Sequence, residues 1–183
     1  GRIFRNEGIS TRHNPEFTLL ESYEAYADYE DVARMMEELL GFVARELHGT
    51  TSLMHGDQAI SLEPPFARTT YHRALLDHTG IDLYQYRSVE TLTAIAHERG
   101  VHPEPGASWG TVLDALMSEF VEPKLVQPTF IFDYPTELSP LAKRKVDDPS
   151  VAERFELFAL GYELANAYSE LNDPVDQRER MKE

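Results

Sequence analysis

The sequence predicts an α+β fold, in which strands near both ends of the chain flank a long helical middle. Short alternating or β-branched runs lie in residues 2–29 and 127–170. Between them, apolar residues recur every three or four positions, which is the period of an amphipathic helix. Strands and amphipathic helices together are enough for a packed core, and 183 residues suit one domain or a core with one insertion.

The N-terminal residues predict a hairpin with polar side chains on one wall. One strand ends at residues 5–7, a loop rich in ladder-breaking residues covers 8–16, and a second strand starts at Phe17. Strand side chains alternate between faces, so the two strands each place charged or aromatic groups on one side. These residues are Arg5, Glu7, Phe17, Glu21 and Tyr23. From spacing alone, this wall is either a binding surface or the solvated face of an amphipathic hairpin.

The first predicted helix spans 30–48 and ends at Gly49, a residue type that suits the left-handed conformation of a helix C-cap. Its apolar residues follow spacings of three and four, so we expect the whole stripe to lie in the core. The stripe consists of Val32, Met35, Met36, Leu39, Leu40, Val43 and Leu47. A short hairpin over 53–62 is expected next, around a Gly-Asp pair.

Capping residues and turn sequences delimit the remaining elements. Further helices are expected from Thr69 or Thr70 to Gly80, from Ser88 to residue 99, and over 109–121. Strands are expected at 129–132, 151–163 and 164–170, followed by a charged helix from Asp173. Within the last strand, alternation places three polar side chains on one face, and these are Asn166, Tyr168 and Glu170.

The composition is acidic and lacks cysteine. With 17 basic and 32 acidic residues the formal net charge is −15, whereas nucleic-acid binders usually present a basic surface. The absence of cysteine excludes disulfides, thiol catalysis and cysteine-based zinc sites, and it fits a cytoplasmic setting. No apolar run approaches the roughly 20 residues of a membrane span, and no signal peptide is visible, so no membrane partner is expected.

Three sequence blocks resemble class II aminoacyl-tRNA synthetases, and they occur in that family's order. The block over residues 4–18, FRNEGISTRHNPEFT, resembles motif 2. The others are QPTFIFDYPTELSPLA over 127–142 and ELANAYSELNDP over 163–174. The residues of these blocks are most similar to those of the lysine-specific members. The resemblance therefore implies an antiparallel sheet flanked by helices, with a helical insertion over about 64–126 and core strands over 127–174.

The resemblance implies an ATP site on the predicted hairpin. Arg5 matches the arginine that bridges the substrate carboxylate and the α-phosphate, a role that suits a planar fork of donors. Glu7 would accept from the adenine amino group, and Phe17 would stack on the ring. Arg12 and His13, in the loop, would hold the outer phosphates. Arg5 is accordingly the expected catalytic residue.

The resemblance also implies lysine as the amino acid. Glu170 and Tyr23 match the positions that hold the ε-ammonium group, and a carboxylate with a phenol oxygen is a sensible acceptor set for it. Glu21 matches another pocket residue, and Asn166 one near the substrate carboxylate. Tyr168 stands where the family usually has phenylalanine and would line the aliphatic stem.

Two acidic residues match the carboxylates that hold Mg²⁺ between ATP phosphates in the family. They are Glu156 and Glu163, and oxygen ligands suit this cation. The alternative is that both are ordinary acids of a strand and a loop. The sequence also departs from the family pattern here, because Ala-Asn-Ala-Tyr at 165–168 replaces the more usual Gly-Asn-Gly-Phe.

The resemblance further implies an incomplete catalytic domain. Motif 1, which builds the dimer interface, and motif 3, which holds the γ-phosphate, are not found in the 183 residues. The longer parent is therefore expected to be a homodimer that binds tRNA(Lys), while the piece itself is expected to be inactive. Open sheet edges are expected to favour self-association.

Three functions remain open at this point. The first is a lysine–tRNA ligase, which activates lysine to lysyl-adenylate with ATP and transfers it to tRNA. The second is a synthetase-like paralog that attaches lysine to a protein. The third is a non-catalytic interaction module derived from the same core.

Overall fold

A computed structural model describes residues 1–6, 8–10 and 13–182, and it confirms the α+β class. Glu7 and Arg12, both predicted to bind ATP, lie outside the described residues. The strands are β1 (Arg2–Phe4), β2 (Glu16–Thr18), β3 (Ser52–His55), β4 (Gln58–Ser61), β5 (Ala67–Thr70), β6 (Thr129–Pro135), β7 (Val151–Ala159) and β8 (Tyr162–Tyr168). The α-helices are α1 (Tyr29–His48), α2 (Tyr71–Thr79), α3 (Val89–Glu98), α4 (Trp109–Phe120) and α5 (Pro174–Arg180).

The central sheet has the strand order β5-β6-β7-β8. Strand β7 pairs antiparallel with both β6 and β8, whereas β5 pairs parallel with β6. The antiparallel sheet flanked by helices was predicted, but the parallel edge strand β5 was not. The hairpins β1–β2 and β3–β4 form separate two-stranded sheets.

Each face of the sheet is covered by a different group of helices. One face packs against α1, and its buried core includes Phe130, Phe132, Phe155 and Leu157. The other face packs against α2, α3 and α4, and it contributes Ile131, Tyr134 and Phe158. Burial of apolar side chains on both faces makes the sheet the centre of the fold.

Two β-bulges interrupt the alternation of side chains in this sheet. The pairing of β6 with β7 shifts between Phe132 and Tyr134, where Asp133 has a left-handed φ of 61°. The pairing of β7 with β8 shifts after Leu157, so that β8 contains the unpaired Leu164. A bulge inserts an extra residue and re-aims the side chains beyond it.

The strained backbone at Asp133 is held by two side chains. The Tyr29 hydroxyl donates to the Asp133 carboxylate over 2.9 Å, and the Lys145 ammonium lies 2.9 Å from the other oxygen. A left-handed residue other than glycine costs about 1–3 kcal/mol, although aspartate tolerates this conformation better than most. The hydrogen bond and ion pair offset that cost and fix the first bulge in place.

Most helix termini follow the predicted capping residues, and Ser108 adds a cap that was not predicted. Thr70, Ser88 and Ser108 each accept a backbone N–H at the start of a helix, and Gly49 and Gly80 end theirs in the left-handed conformation. Asp28 adds a capping box to α1 that was not predicted. None of the helices in the described ranges combines the length and apolar character that a membrane span requires.

The predicted core stripe of α1 is only partly correct. Its buried face instead consists of Tyr29, Ala33, Glu37, Gly41 and Ala44. Val32, Met36 and Leu40 lie at the margin of the core, while Met35, Leu39, Val43 and Leu47 are exposed. Gly41 lies where the segment between β4 and β5 comes close to α1, since a Cβ there would be 3.0 Å from the Leu62 carbonyl oxygen.

The one acid on this buried face, Glu37, links α1 to the edge of the sheet. Its carboxylate accepts from the Phe66 backbone N–H over 3.1 Å and pairs with the Arg68 guanidinium over 3.0 Å. The Arg68 guanidinium also lies 5.5 Å from the ring centroids of Phe130 and Phe132. This contact ties β5 to the aromatic core.

We expect Glu37→Ala to lower the free energy of unfolding by about 2 kcal/mol, because it leaves a buried N–H donor without an acceptor. Urea denaturation of the 183-residue chain measures the change. Glu38→Ala, an exposed neighbour on the same helix, should differ from wild type by less than about 0.5 kcal/mol. Equal effects of the two substitutions would show that Glu37 contributes no special contact.

Candidate functional site

The β1–β2 hairpin brings Arg5 and Phe17 together as predicted. Ile3 pairs with Phe17, so alternation continues to Arg5 on the same face, and the Arg5 Cζ lies 5.3 Å from the Phe17 ring centroid. The strands are shorter than predicted. Strand β1 ends at Phe4, and Leu19 and Gly1 exchange hydrogen bonds at the other end of the ladder.

Glu21 and Tyr23 therefore do not lie on a strand, which corrects the alternation argument used to place them. Both are exposed in the segment between β2 and α1. In the preceding loop, His13 lies at the surface, and its Nδ1 is 3.2 Å from the Ser10 hydroxyl. The described residues 8–10, 13 and 14 of this loop are all exposed to solvent.

The predicted face of β8 points to the same side of the sheet as Glu156. Asn166 pairs with Glu156 across the strands, and its Nδ2 donates to the Glu156 carboxylate over 3.2 Å. The Tyr134 hydroxyl donates to the other carboxylate oxygen over 2.8 Å. Arg154, two residues before Glu156 on β7, pairs with it directly and donates from Nε to the Asn166 Oδ1 over 3.1 Å.

Both bulges are needed to assemble this group. The first turns Tyr134 to the opposite face from Phe132, so that its hydroxyl reaches Glu156. The second places Glu163 opposite Phe158, on the face that also holds Asn166. Cross-strand partners point to the same side of a sheet, so Glu163 shares the face of Phe158. Glu156 lies two positions before Phe158 on β7 and therefore shares that face as well.

Burial perturbs the two predicted metal ligands. It raises the pKa of Glu156 to about 7, against the opposing effect of Arg154. Neighbouring groups partly desolvate Glu163 and likewise raise its pKa, although the residue is exposed to solvent. Arg154 and, to a smaller extent, Arg5 lower the Glu163 value, which places the hairpin cation within electrostatic reach of the sheet.

Three of the four residues predicted around the lysine side chain act electrostatically on the fourth, Tyr168, at the end of β8. Burial raises the pKa of the Tyr168 phenol, and the charges of Glu170 and Glu21, together with the Tyr23 phenol, raise it further. Glu170 forms an isolated bridge with Ala142, which anchors it beside the strand.

A polar cleft of about 370 Å³ adjoins Glu156 on the side of α4. Its walls come from the start of α4, the turn after β6, and the polar face of β7. They include Ser108, Asp114, Tyr134, Glu137, Arg154 and Glu156. Burial raises the pKa of Asp114, and this carboxylate makes no hydrogen bond or ion pair with the described part of the chain.

Arg154 is the site residue that sequence reasoning missed. The resemblance to the synthetase family assigns a role to Glu156 but none to Arg154. The signal was present, since a residue two positions before Glu156 on a strand must share its face. An arginine beside an acid on a half-buried strand is a candidate partner for that acid.

Comparison with known proteins identifies the family. A model of the tRNA synthetases class II (D, K and N) matches residues 1–183. The chain belongs to this family. It is 51% identical over 183 residues to a lysine–tRNA ligase of Dehalococcoides mccartyi, and the match covers all of this chain and 37% of that protein.

Other class II synthetases show the same extent of similarity. A lysine–tRNA ligase of Pelotomaculum thermopropionicum is 51% identical over 182 residues, covering 98% of this chain and 36% of that protein. One from Halalkalibacterium halodurans is 47% identical over 183 residues, covering 100% and 36%. The chain therefore spans just over a third of the length of these curated relatives.

We expect Glu156 to make the chain less stable as pH rises. Its pKa is raised from 4.5 to about 7 in the folded protein, so folding favours the protonated form. That contribution is complete below pH 4.5 and is lost as pH rises through about 7. The free energy of unfolding of wild type should therefore fall, relative to Glu156→Gln, between about pH 5 and about pH 8.

Urea denaturation at both pH values tests this dependence. Glu104→Gln, an exposed acid outside the site, serves as the control and should keep a constant difference from wild type. A constant difference for Glu156→Gln as well would contradict the pKa assignment.

Proposed function

We propose that the chain is the central part of a lysine–tRNA ligase catalytic domain, which forms lysyl-adenylate from lysine and ATP and transfers lysine to tRNA(Lys). The observations that carry the proposal are the grouping of Glu156, Glu163 and Asn166 on one face of the β7–β8 pair and the contact of Arg5 with Phe17 on the hairpin. Residues distant in sequence meet there, although neither the bulges nor Arg154 were predicted. The lysine–tRNA ligase names of the relatives support lysine as the substrate.

Activation joins two anions, the lysine carboxylate and the α-phosphate of ATP, so catalysis consists mainly of positioning and charge neutralisation. Arg5 would donate to both groups at once through its planar guanidinium. Phe17, which already packs against Arg5, would stack on adenine, with Glu7 at its amino group. Arg12 and His13 would hold the outer phosphates.

The residues at the end of β8 would select the amino acid. Glu170 and Tyr23 would accept from the ε-ammonium, with Glu21 adding negative charge nearby. Tyr168 would line the aliphatic stem, and Asn166 would bind near the carboxylate. A cationic side chain would be favoured there because Glu170 and Glu21 both act on Tyr168 with negative charge.

The acids on β7 and β8 fit a Mg²⁺ site shared with ATP. Among the described residues, no group of three or more His, Cys, Asp or Glu could hold a metal, so an all-protein cage is not expected. Mg²⁺ is commonly bound by one or two carboxylates plus substrate phosphates, and Glu156 and Glu163 on one face suit that role. Bound there, Mg²⁺ would neutralise phosphate charge, while Asn166 and Tyr134 orient the Glu156 carboxylate.

We further propose that 1–29 form the motif 2 region, about 64–126 an insertion, and 127–174 the core strands of the domain. The family in general supports a homodimeric, cytoplasmic parent. A paralog that transfers lysine to a protein would share the activation residues. Aminoacylation of tRNA(Lys) by a full-length protein carrying these residues distinguishes the two.

We expect Glu170→Gln, in a full-length protein carrying this chain, to raise the KM for lysine far more than the KM for ATP. Loss of a charge-assisted contact to the ε-ammonium should cost on the order of 1.5–3 kcal/mol. Lysine-dependent pyrophosphate exchange provides the measurement, with the exposed Glu98→Gln as the matched control. Unchanged lysine kinetics would remove Glu170 from the pocket.

We expect Arg5→Ala to abolish adenylate formation while the thermal midpoint stays near that of wild type, because Arg5 is exposed on its hairpin. Arg2→Ala is the matched control, since Arg2 is 79% exposed on β1 of the same hairpin and its side chain alternates to the other face. Pyrophosphate exchange and circular dichroism measure the two properties. Retained exchange with a large drop in melting temperature would assign Arg5 a structural role instead.

A further inference from the structure

Arg154 lies at the centre of the polar network on the sheet, and four of its N–H groups are used within the protein. Its Nε donates to Asn166, and one Nη2 hydrogen is directed to Glu156. Its Nη1 donates to the Leu138 carbonyl oxygen over 2.7 Å and to the Ser139 hydroxyl over 3.1 Å. A guanidinium has five N–H groups, so little donor capacity remains for a substrate.

The network around Arg154 is closed. Asn166 donates to the same Glu156 carboxylate that Arg154 pairs with, so each of these three side chains contacts the other two. The Arg154 Cζ lies 4.6 Å from the Tyr134 ring centroid, and the Arg154 side chain is only 16% exposed. Stacking and bonding to several acceptors at once require the planar guanidinium, which lysine does not provide.

The loop that anchors Arg154 is itself fixed from the other side. Arg180 of α5 donates to the Ser139 carbonyl oxygen over 3.0 Å and to the Ala142 carbonyl oxygen over 2.8 Å. Ala142 in turn forms the bridge with Glu170. Arg154 therefore connects the polar face of the sheet to a loop that also borders the proposed ammonium site.

We propose that Arg154 is a positioning residue for the activation reaction. It holds Asn166 and Glu156 in the orientation that lysine and ATP require, and it acts through them rather than by touching a substrate. This inference rests on the proposed function for the roles of its two partners. The contacts of Arg154 with those partners are independent of that function, so they can be tested separately.

The first experiment examines the 183-residue chain without substrates. In ¹⁵N NMR spectra, Arg154→Lys should shift and broaden the Asn166 side-chain amide signals, because the acceptor at Oδ1 loses its donor. Arg68→Lys is the matched control: Arg68 is also a partly buried, ion-paired arginine, but it contacts the aromatic rings on the other face of the sheet. Unmoved Asn166 signals in folded Arg154→Lys would overturn the inference whatever the protein's activity.

The second experiment measures lysine-dependent pyrophosphate exchange in a full-length protein carrying these residues. Arg154→Lys should raise the KM for lysine by about 10–100-fold, the usual effect of losing a residue that orients a binding group. Arg68→Lys should lower the melting temperature without changing either KM.

A double-variant cycle then distinguishes positioning from direct binding. If Arg154 acts through Asn166, adding Arg154→Lys to Asn166→Ala should raise the KM for lysine by less than about threefold more. Independent, multiplying effects would show that Arg154 does not act on lysine binding through Asn166 and would overturn the inference. A wild-type enzyme that activates a different amino acid would refute the proposed function, whereas the NMR result on Asn166 would stand.

Discussion

The fold depends on one constraint, which is that strand β7 must be buried on both faces although one of them is polar. Phe155 and Leu157 face α1 and need only apolar contact. Glu156 faces the other way with its side chain 14% exposed, and a buried carboxylate is costly unless it is paired and hydrogen-bonded. Arg154, Tyr134 and Asn166 provide those partners. The geometry of the candidate site is thus fixed by a requirement of folding.

The two β-bulges follow from the same constraint. Regular alternation would direct Tyr134 toward the apolar face and Glu163 away from Glu156. The left-handed Asp133 and the extra Leu164 each shift the alternation by one position, and together they concentrate polar side chains on one face. Contacts of Asp133 with α1 and with Lys145 stabilise the first shift, so packing on one face of the sheet determines which groups meet on the other.

Local sequence predicted the elements better than it predicted their faces. The termini of α2, α3 and α4 agree with their capping residues because a cap is a contact within a few residues. The α1 stripe was partly wrong because periodicity aligns apolar residues but does not identify the side that a sheet can approach closely. The bulges depend on pairing between strands, so alternation along one strand could not reveal them. Glu156 and Asn166 were predicted from the sequence resemblance to the synthetase family, whereas Arg154 could have been predicted from the alternation of side chains along β7 alone.

Part of the acidic composition is located at the candidate site, where it affects which substrates are favoured. Arg154 is already paired with Glu156, so its charge is not available to neutralise a substrate. The remaining acids at the end of β8 and in the segment after β2 favour a cationic side chain and disfavour an acidic one. The same negative charge opposes the phosphates of ATP, and Arg5 of the hairpin lowers the pKa of Glu163 to a smaller extent than Arg154 does. Under the proposed function, selectivity for an ammonium group and a need for added positive charge around ATP are therefore two consequences of one arrangement of acids.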